Sequence, residues 1–468
     1  MQTQPTNETV QQEGVQILYY MKTYYEDTRR FLRCGGVEVL LDAMRLNSSD
    51  GYTQEVAMAM LLEAAVAYQD SHIRDDITSA IISKDGYYLQ AVLTAMRVHI
   101  DNLEVQKNGV HLLHRLMVAP ISDAVITAAT DAAITAGGVP AVVEAMNAHV
   151  GNEFLERVCF DILRAWVKRD GATRVLVWKH GGVVPVIRVM RHTHTAESYI
   201  LRTGCKILGW ITRGAPHIAE EVALQGGVSA VAHAGPFLRP FEDEAEWTLD
   251  EIATTNVGVG AIVAQGGVHL LISRMQMWVD NKHIGTTWVR VRSCEALARV
   301  ASTQGGMDKI VQEGGISLIL DVMRGCVLLQ CKGHVSQFDK NKLQTAACNL
   351  LAKFADREDV NMCIIDNGVS VLRDVQEDSH GDEEVALAVT KVLRRVHDTR
   401  ARIIEKKISF AKGIHREGTL PGALKPDIMQ KIMGFVEHGT SVRQSRAPRP
   451  GTFAALSDNF ATPNRFNN

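Results

Sequence analysis

An all-α fold built from a repeated helical unit is predicted by three features of this 468-residue chain. A Gly-Gly-Val/Ile motif recurs six times, with its second glycine at 36, 138, 182, 227, 267 and 315, and single-glycine copies at Gly86 and Gly368 complete a series spaced 40 to 53 residues apart. That period belongs to stacked helical repeats. After each glycine pair, apolar residues return at three- and four-residue spacing, the mark of a helix that buries one face. Composition agrees, since 46% hydrophobic and 22% charged residues describe a folded chain, too long for a single compact core.

Within each unit the elements follow in order. A first helix ends at the glycine pair, because glycine takes positive φ without a Cβ clash; Gly138 and Gly227 are the residues expected in that conformation. A second helix follows, with a methionine eight residues beyond the second glycine at Met44, Met146, Met190, Met275 and Met323. A third helix aligns on Leu18, Leu61, Leu113, Leu163, Leu208, Ile252, Leu297, Leu351 and Leu393. Three or four residues before that position stands a small residue, Gly109, Cys159, Cys205, Cys294 or Cys348, where helices must approach closely.

This pattern over residues 10–398 resembles the armadillo-repeat proteins. The resemblance implies a right-handed superhelical solenoid of about eight or nine armadillo-like repeats, whose third helices line a concave groove that holds protein segments. It also implies a non-catalytic scaffold. The nuclear-import adaptors of that family carry a Trp and, four residues on, an Asn along successive third helices, and here the pattern departs. Ala59, His111, Asp161, Lys206, Asp250, Glu295, Asn349 and Lys391 stand at the Trp position, and Glu63, Arg115, Ala165, Trp210, Thr254, Arg299, Lys353 and Arg395 at the Asn position. A basic localisation peptide is not the expected ligand. Arg115, Lys206, Trp210, Arg299, Lys353 and Arg395 are instead the expected groove residues, favouring an acidic or phosphorylated segment.

Charge and motifs exclude other classes. Fifty Lys+Arg against 53 Asp+Glu leave a net charge of -3, which argues against nucleic acid as the main ligand. No stretch reaches about 18 consecutive apolar residues, and no basic and apolar leader opens the chain, so neither a membrane span nor secretion is expected. Eight scattered cysteines suit a reducing, cytoplasmic setting. Cys326, Cys331 and His334 have a suggestive spacing but no fourth ligand, so no metal is expected. Gly258-Val259-Gly260 lacks the last glycine of a dinucleotide fingerprint and is expected to be a turn; no nucleophile or P-loop motif occurs, and no cofactor is expected. His99, His149 and His192 follow second helices, where a helix-end role is expected.

Residues 1–9 are expected to be disordered and 399–439 to form a helical cap, with helices at 402–412 and 427–437. Residues 440–468 are rich in Ser, Pro, Asn and Ala and are expected to form a disordered basic tail, with Phe453, Phe460 and Phe466 as docking points. From residue 400 onward the chain holds 12 Lys+Arg and 5 Asp+Glu, a net of +7. Acidic tubulin would suit such a tail, so the alternative function is a structural component of a cytoskeletal assembly, such as the axoneme of a cilium or flagellum. Deleting residues 440–468 is expected to leave the thermal unfolding midpoint unchanged, because a segment of this composition buries little apolar surface. A lowered midpoint in differential scanning calorimetry would place the folded boundary later in the chain.

Overall fold

The computed structural model describes residues 4, 7–21, 34–66, 71–118, 123–193, 198–239, 242–281, 287–328, 336–379 and 381–417. No strand occurs among them. The helices begin with α1 (Glu8–Met21), α2 (Gly36–Leu46), α3 (Gly51–Val66), α4 (Ser71–Val98), α5 (Leu103–Val118), α6 (Asp123–Thr135), α7 (Gly138–Ala148) and α8 (Glu153–Arg169). Next come α9 (Gly171–Lys179), α10 (Val183–His192), α11 (Ser198–Thr212), α12 (Pro216–Leu224), α13 (Gly227–Ala234), α14 (Glu244–Ile252) and α15 (Asn256–Ala264). The last are α16 (Gly267–Asn281), α17 (Thr287–Val300), α18 (Gln304–Gln312), α19 (Gly315–Leu328), α20 (Gln337–Phe354), α21 (Glu358–Asp378) and α22 (Glu383–Glu417).

The repeat is the armadillo-like unit of three helices, stacked in layers. Third helices pack in sequence, α1 on α3, then α5, α8, α11, α14, α17 and α20. Second helices form a parallel series through α2, α4, α7, α10, α13, α16, α19 and α21. The core therefore runs along the stack, between the layers. Leu61, Leu113, Leu163, Leu208, Ile252, Leu297 and Leu351 are buried in it, as are all five motif methionines. Cys159, Cys205, Cys294 and Cys348 are fully buried, and burial pushes the last two thiols up to about 12. A Cβ on Gly109 would stand 2.6 Å from Met96, so close approach explains the small residue there.

At the corners the two glycines have different tasks. The first glycine takes the left-handed conformation, with φ of 90° at Gly137, 87° at Gly226 and 85° at Gly266. The expectation for Gly138 and Gly227 is thus displaced by one residue. Those second glycines already belong to the second helix, and what excludes a side chain is space: a Cβ would lie 2.7 Å from the Ala133 carbonyl oxygen at Gly138 and 2.7 Å from that of Val222 at Gly227. The corner turns the chain by 71° between α6 and α7 and 68° between α15 and α16. Where the first glycine is replaced, by Asp85 and by Asn367, no corner forms. Helices α4 and α21 run straight through Gly86 and Gly368, fusing first and second helix.

Polar clamps close the unit. Gln54 donates to the carbonyl oxygens of Met44 (2.9 Å) and Asn47 (2.8 Å), and Gln106 to those of Met96 (2.6 Å) and His99 (2.9 Å), satisfying second-helix ends that would otherwise be buried unpaired. His99, His149 and His233 hydrogen-bond the carbonyl groups of Ser48, Ile100 and Thr193, each about one repeat earlier. The helix-end role expected of the three is observed: His99 and His149 reach back to the preceding unit, and His192 bonds the Arg188 carbonyl oxygen in the last turn of its own helix.

Two further expectations are corrected. Gly258-Val259-Gly260 lies inside α15 and is no turn; Thr255 caps the Gly258 N–H, and a Cβ on Gly258 would stand 1.9 Å from the Ile252 carbonyl oxygen. The end of the last third helix at 398 is replaced by one helix running to Glu417, since no Gly or Pro interrupts residues 383–412. The chain divides into compact units at Arg395/Val396, within that helix. Residues 427–437 and 440–468, with Phe453, Phe460 and Phe466, lie outside the described residues, as do Cys331 and His334. No single described helix is long and apolar enough to cross a membrane.

The corner assigns distinct costs to neighbouring substitutions. Gly226→Val should destabilise by about 1–3 kcal/mol through left-handed backbone strain, and Gly227→Ala by about 1–3 kcal/mol through overpacking against Val222. Gly325→Ala, in the interior of α19 with open space at Cβ, should stabilise by about 0.5–1 kcal/mol. Urea unfolding of the three variants checks the order, and a neutral Gly226→Val would refute the corner mechanism.

Candidate binding strip on the third helices

Each third helix buries most of its circumference between its neighbours and the second helix, which leaves one narrow face outside. On α11 that face carries Tyr199, Arg202, Lys206 and Trp210, and Arg213 just past its end continues it, all spaced three or four residues apart, while the intervening residues are buried. The same spacing exposes Phe154, Arg157, Asp161, Arg164 and Lys168 on α8, and Trp288, Arg292, Glu295 and Arg299 on α17. Of the expected groove residues, Lys206, Trp210 and Arg299 lie on these faces. Their chemistry differs from expectation.

Helix α14 and the residues just before it are strongly acidic, and this anionic helix sits between two cationic ones. From α11, Lys206 pairs with Glu244 at 3.0 Å and Arg202 with Glu242 at 2.7 Å. From α17, Arg299 pairs with Asp250 at 2.6 Å. Asp250 is buried, and burial raises its pKa against the opposing pull of Arg299. Lys206 and Arg299 thus bind their neighbours in the stack, and the basic wall expected of the groove is divided by internal neutralisation. Arg395 donates to the Ala352 carbonyl oxygen at 2.8 Å and lies 3.8 Å from Asp356. Lys353 is exposed and Arg115 half-buried, neither in an ion pair with a described residue. The Arg115 charge and, more strongly, burial lower the pKa of His111.

A buried pair behind the strip was not foreseen. Arg274 of α16 and Glu246 of α14 are 1% and 0% exposed and meet at 2.6 Å. The same guanidinium donates to carbonyl oxygens of Gly235, Leu238 and Glu242 at 3.3, 3.2 and 2.5 Å, pinning the segment that joins α13 to α14. Breaking one partner would strand a buried charge, a loss of about 3–5 kcal/mol.

The aromatic residues of the strip were also missed. Tyr52, Phe154, Tyr199 and Trp288 all stand nine residues before the aligned leucine of their helix and are 44%, 46%, 37% and 45% exposed. His111 meets the Phe154 ring edge-on at 5.5 Å, and the Arg157 guanidinium lies 5.1 Å above Tyr199, whose hydroxyl donates to Asp161. The signal that could have found them is simple recurrence at one register. Trp210, farther along the strip, meets Trp247 edge-to-face at 5.3 Å.

Nothing in this arrangement assembles a nucleophile with a base. Among the described residues no group of His, Cys, Asp and Glu is arranged to hold a metal, and Cys326 is a buried thiol pushed up to about 11.

No family model and no curated protein matches the chain. Among solved structures, an engineered protein of a structural genomics programme aligns with a TM-score of 0.49 at 20% identity, over 84% of this chain and 96% of its own. A computationally designed armadillo repeat protein for modular peptide recognition aligns at 0.43 and 14%, over 55% and 99%. A designed armadillo repeat protein in complex with the peptide (KR)4 aligns at 0.42 and 16%, over 55% and 99%.

The raised pKa of Asp250 sets a sign for pH dependence. Burial makes its neutral form more favourable in the folded than in the unfolded chain, so the stability it contributes is present below the unfolded value of about 3.9 and is lost as pH rises through the folded one. Asp250→Asn does not titrate and leaves only the half-exposed Arg299 unpaired, so it should gain on the parent chain between about pH 4 and pH 7. Urea titrations of both at the two pH values measure the gap, and a gap that moves the other way contradicts the assignment.

Proposed function

We propose that this chain is a non-catalytic armadillo-like scaffold that holds an extended segment of a partner protein along the exposed strip of its third helices. The observation that carries the reading is the aromatic row at one register, Tyr52, Phe154, Tyr199 and Trp288, each about half exposed. Packed helices lie about 8–10 Å apart, and an extended chain advances about 3.3 Å per residue. A partner segment therefore meets a new third helix roughly every three residues, a spacing at which alternate contacts can be set by aromatic side chains. Such rings offer large contact area at low entropic cost, and interface hot spots are enriched in them. Pairing of Arg202, Lys206 and Arg299 with acids of the α14 region leaves apolar and cation–π contact as the main affinity source on that part of the strip.

The experiment is affinity capture with mass spectrometry, comparing the parent chain, a Tyr199→Ala/Trp288→Ala double variant and Leu224→Ala, whose side chain is 75% exposed on the first helix α12. The double variant should lose the parent's main partner by at least about tenfold, as expected for two aromatic hot spots, with its melting temperature unchanged. Leu224→Ala should retain it. Equal recovery by all three would move the interaction off the strip.

A further inference from the structure

Two arginines of the strip region stand apart from the neutralised pairs. The guanidinium carbons of Arg174, on the first helix α9, and Arg213, just past the end of α11, each lie 5.0 Å from the ring centroid of Trp210. They are therefore within twice that distance of one another. Neither forms an ion pair with a described residue. The acids nearest in effect are otherwise engaged. Asp170 caps the start of α9 through the Thr173 N–H at 2.7 Å and pairs with Arg169 at 3.3 Å, and Glu251 accepts the Trp247 indole N–H at 3.1 Å. Two like charges on one half-buried indole repel, and burial together with the Arg213 charge lowers the pKa of Arg174.

Asp170 and Glu251 offset this repulsion only from beyond ion-pair distance, and an anion in direct contact with both guanidinium groups would relieve what remains. Both guanidinium groups lie over the indole, and the Nε of Arg174 is fixed by its hydrogen bond to the Val167 carbonyl oxygen at 2.8 Å, which leaves its terminal N–H groups to donate elsewhere. That is a preorganised arrangement, in which little side-chain freedom remains to be lost on binding. Guanidinium recognises carboxylate and phosphate through paired N–H donors.

We infer that Arg174, Trp210 and Arg213 form a binding site for an anionic side chain, phosphoryl or carboxylate, on the partner segment that occupies the strip. The inference rests on the scaffold reading and names one position of its ligand. A phosphorylated side chain, with a charge near −2, matches the two cations better than a carboxylate and should bind more tightly. Asp170 is engaged with Arg169 and Glu251 with the Trp247 indole, so an anionic group reaching Arg174 and Arg213 breaks no ion pair of theirs.

The test uses the six tryptophan indole N–H signals of the ¹⁵N-labelled full chain, with those of Trp210 and Trp247 assigned by Trp210→Phe and Trp247→Phe. The probes are acetyl-Gly-X-Gly-amide peptides with X as phosphoserine, glutamate or serine, and inorganic phosphate. The phosphoserine peptide should shift the Trp210 and Trp247 signals, the glutamate peptide should do so at higher concentration, and the serine peptide should not. Arg213→Gln, at an exposed position beyond the helix end, should weaken phosphoserine binding about tenfold without moving the melting temperature, and Arg174→Lys, which keeps the charge but not the planar fork, should weaken it less. The two variants fold independently of one another's outcome, so loss of one leaves the other to decide. Signals that stay still with the phosphoserine peptide, or that move equally in Arg213→Gln, overturn the site. Inorganic phosphate binding as tightly as the peptide overturns the assignment to a partner side chain. Failure here leaves the aromatic strip standing, whereas retention of the partner by Tyr199→Ala/Trp288→Ala removes the strip and leaves the anion site to be judged on these signals alone.

Discussion

The left-handed glycine at the first position of each corner is the constraint on which the stack depends. Only a residue without Cβ enters that region at low cost, and the turn it permits sends the second helix back across the first. The second glycine then lets the new helix start against a carbonyl oxygen of the old one, at a distance no side chain could tolerate. Once two helices are fixed at that angle, the third has one place to bury its apolar face. The fused helices α4 and α21 make the same point by contrast: with Asp85 or Asn367 in the first position, intrinsic helix continuity wins and the corner disappears.

Stacking of third helices is secured twice, by apolar burial and by polar groups that close the ends. Small residues at the helix crossings allow close approach, while glutamines and histidines satisfy carbonyl groups at second-helix ends. Apolar burial is non-directional and would tolerate sliding. Hydrogen bonds reaching about one repeat back remove that freedom, because each acceptor is found only in one register.

Much of this was legible in the sequence, and the limits have physical causes. The glycine period, the methionines and the aligned leucines are local patterns, and a repeat displays them many times, so fold and third-helix positions followed directly. Which glycine turns was not legible, since both lack a side chain and only backbone geometry separates φ from space. The register of Lys206, Trp210 and Arg299 on the exposed face of their helices was legible, but not that Lys206 and Arg299 pair with acids inside the stack. A cation's partner lies about 40 to 50 residues away on an adjacent third helix, as Asp250 does from Arg299, and spacing alone does not reveal which neighbour it faces. The aromatic row had a sequence signal, recurrence nine residues before the leucine, that the search for an Asn and Trp ladder passed over.

The charges across the stack also act as an address. Lys206 finds its acid on the following third helix and Arg299 on the preceding one, so α14 is complementary to both of its actual neighbours. Placed beside a helix bearing acids at those registers, it would set like against like in partly buried surroundings, an arrangement penalised more heavily than a mere missing contact. The units are therefore not interchangeable beads. Around α14 their order is written a second time in charge, and duplicating or deleting that unit would set like charges side by side at the seam.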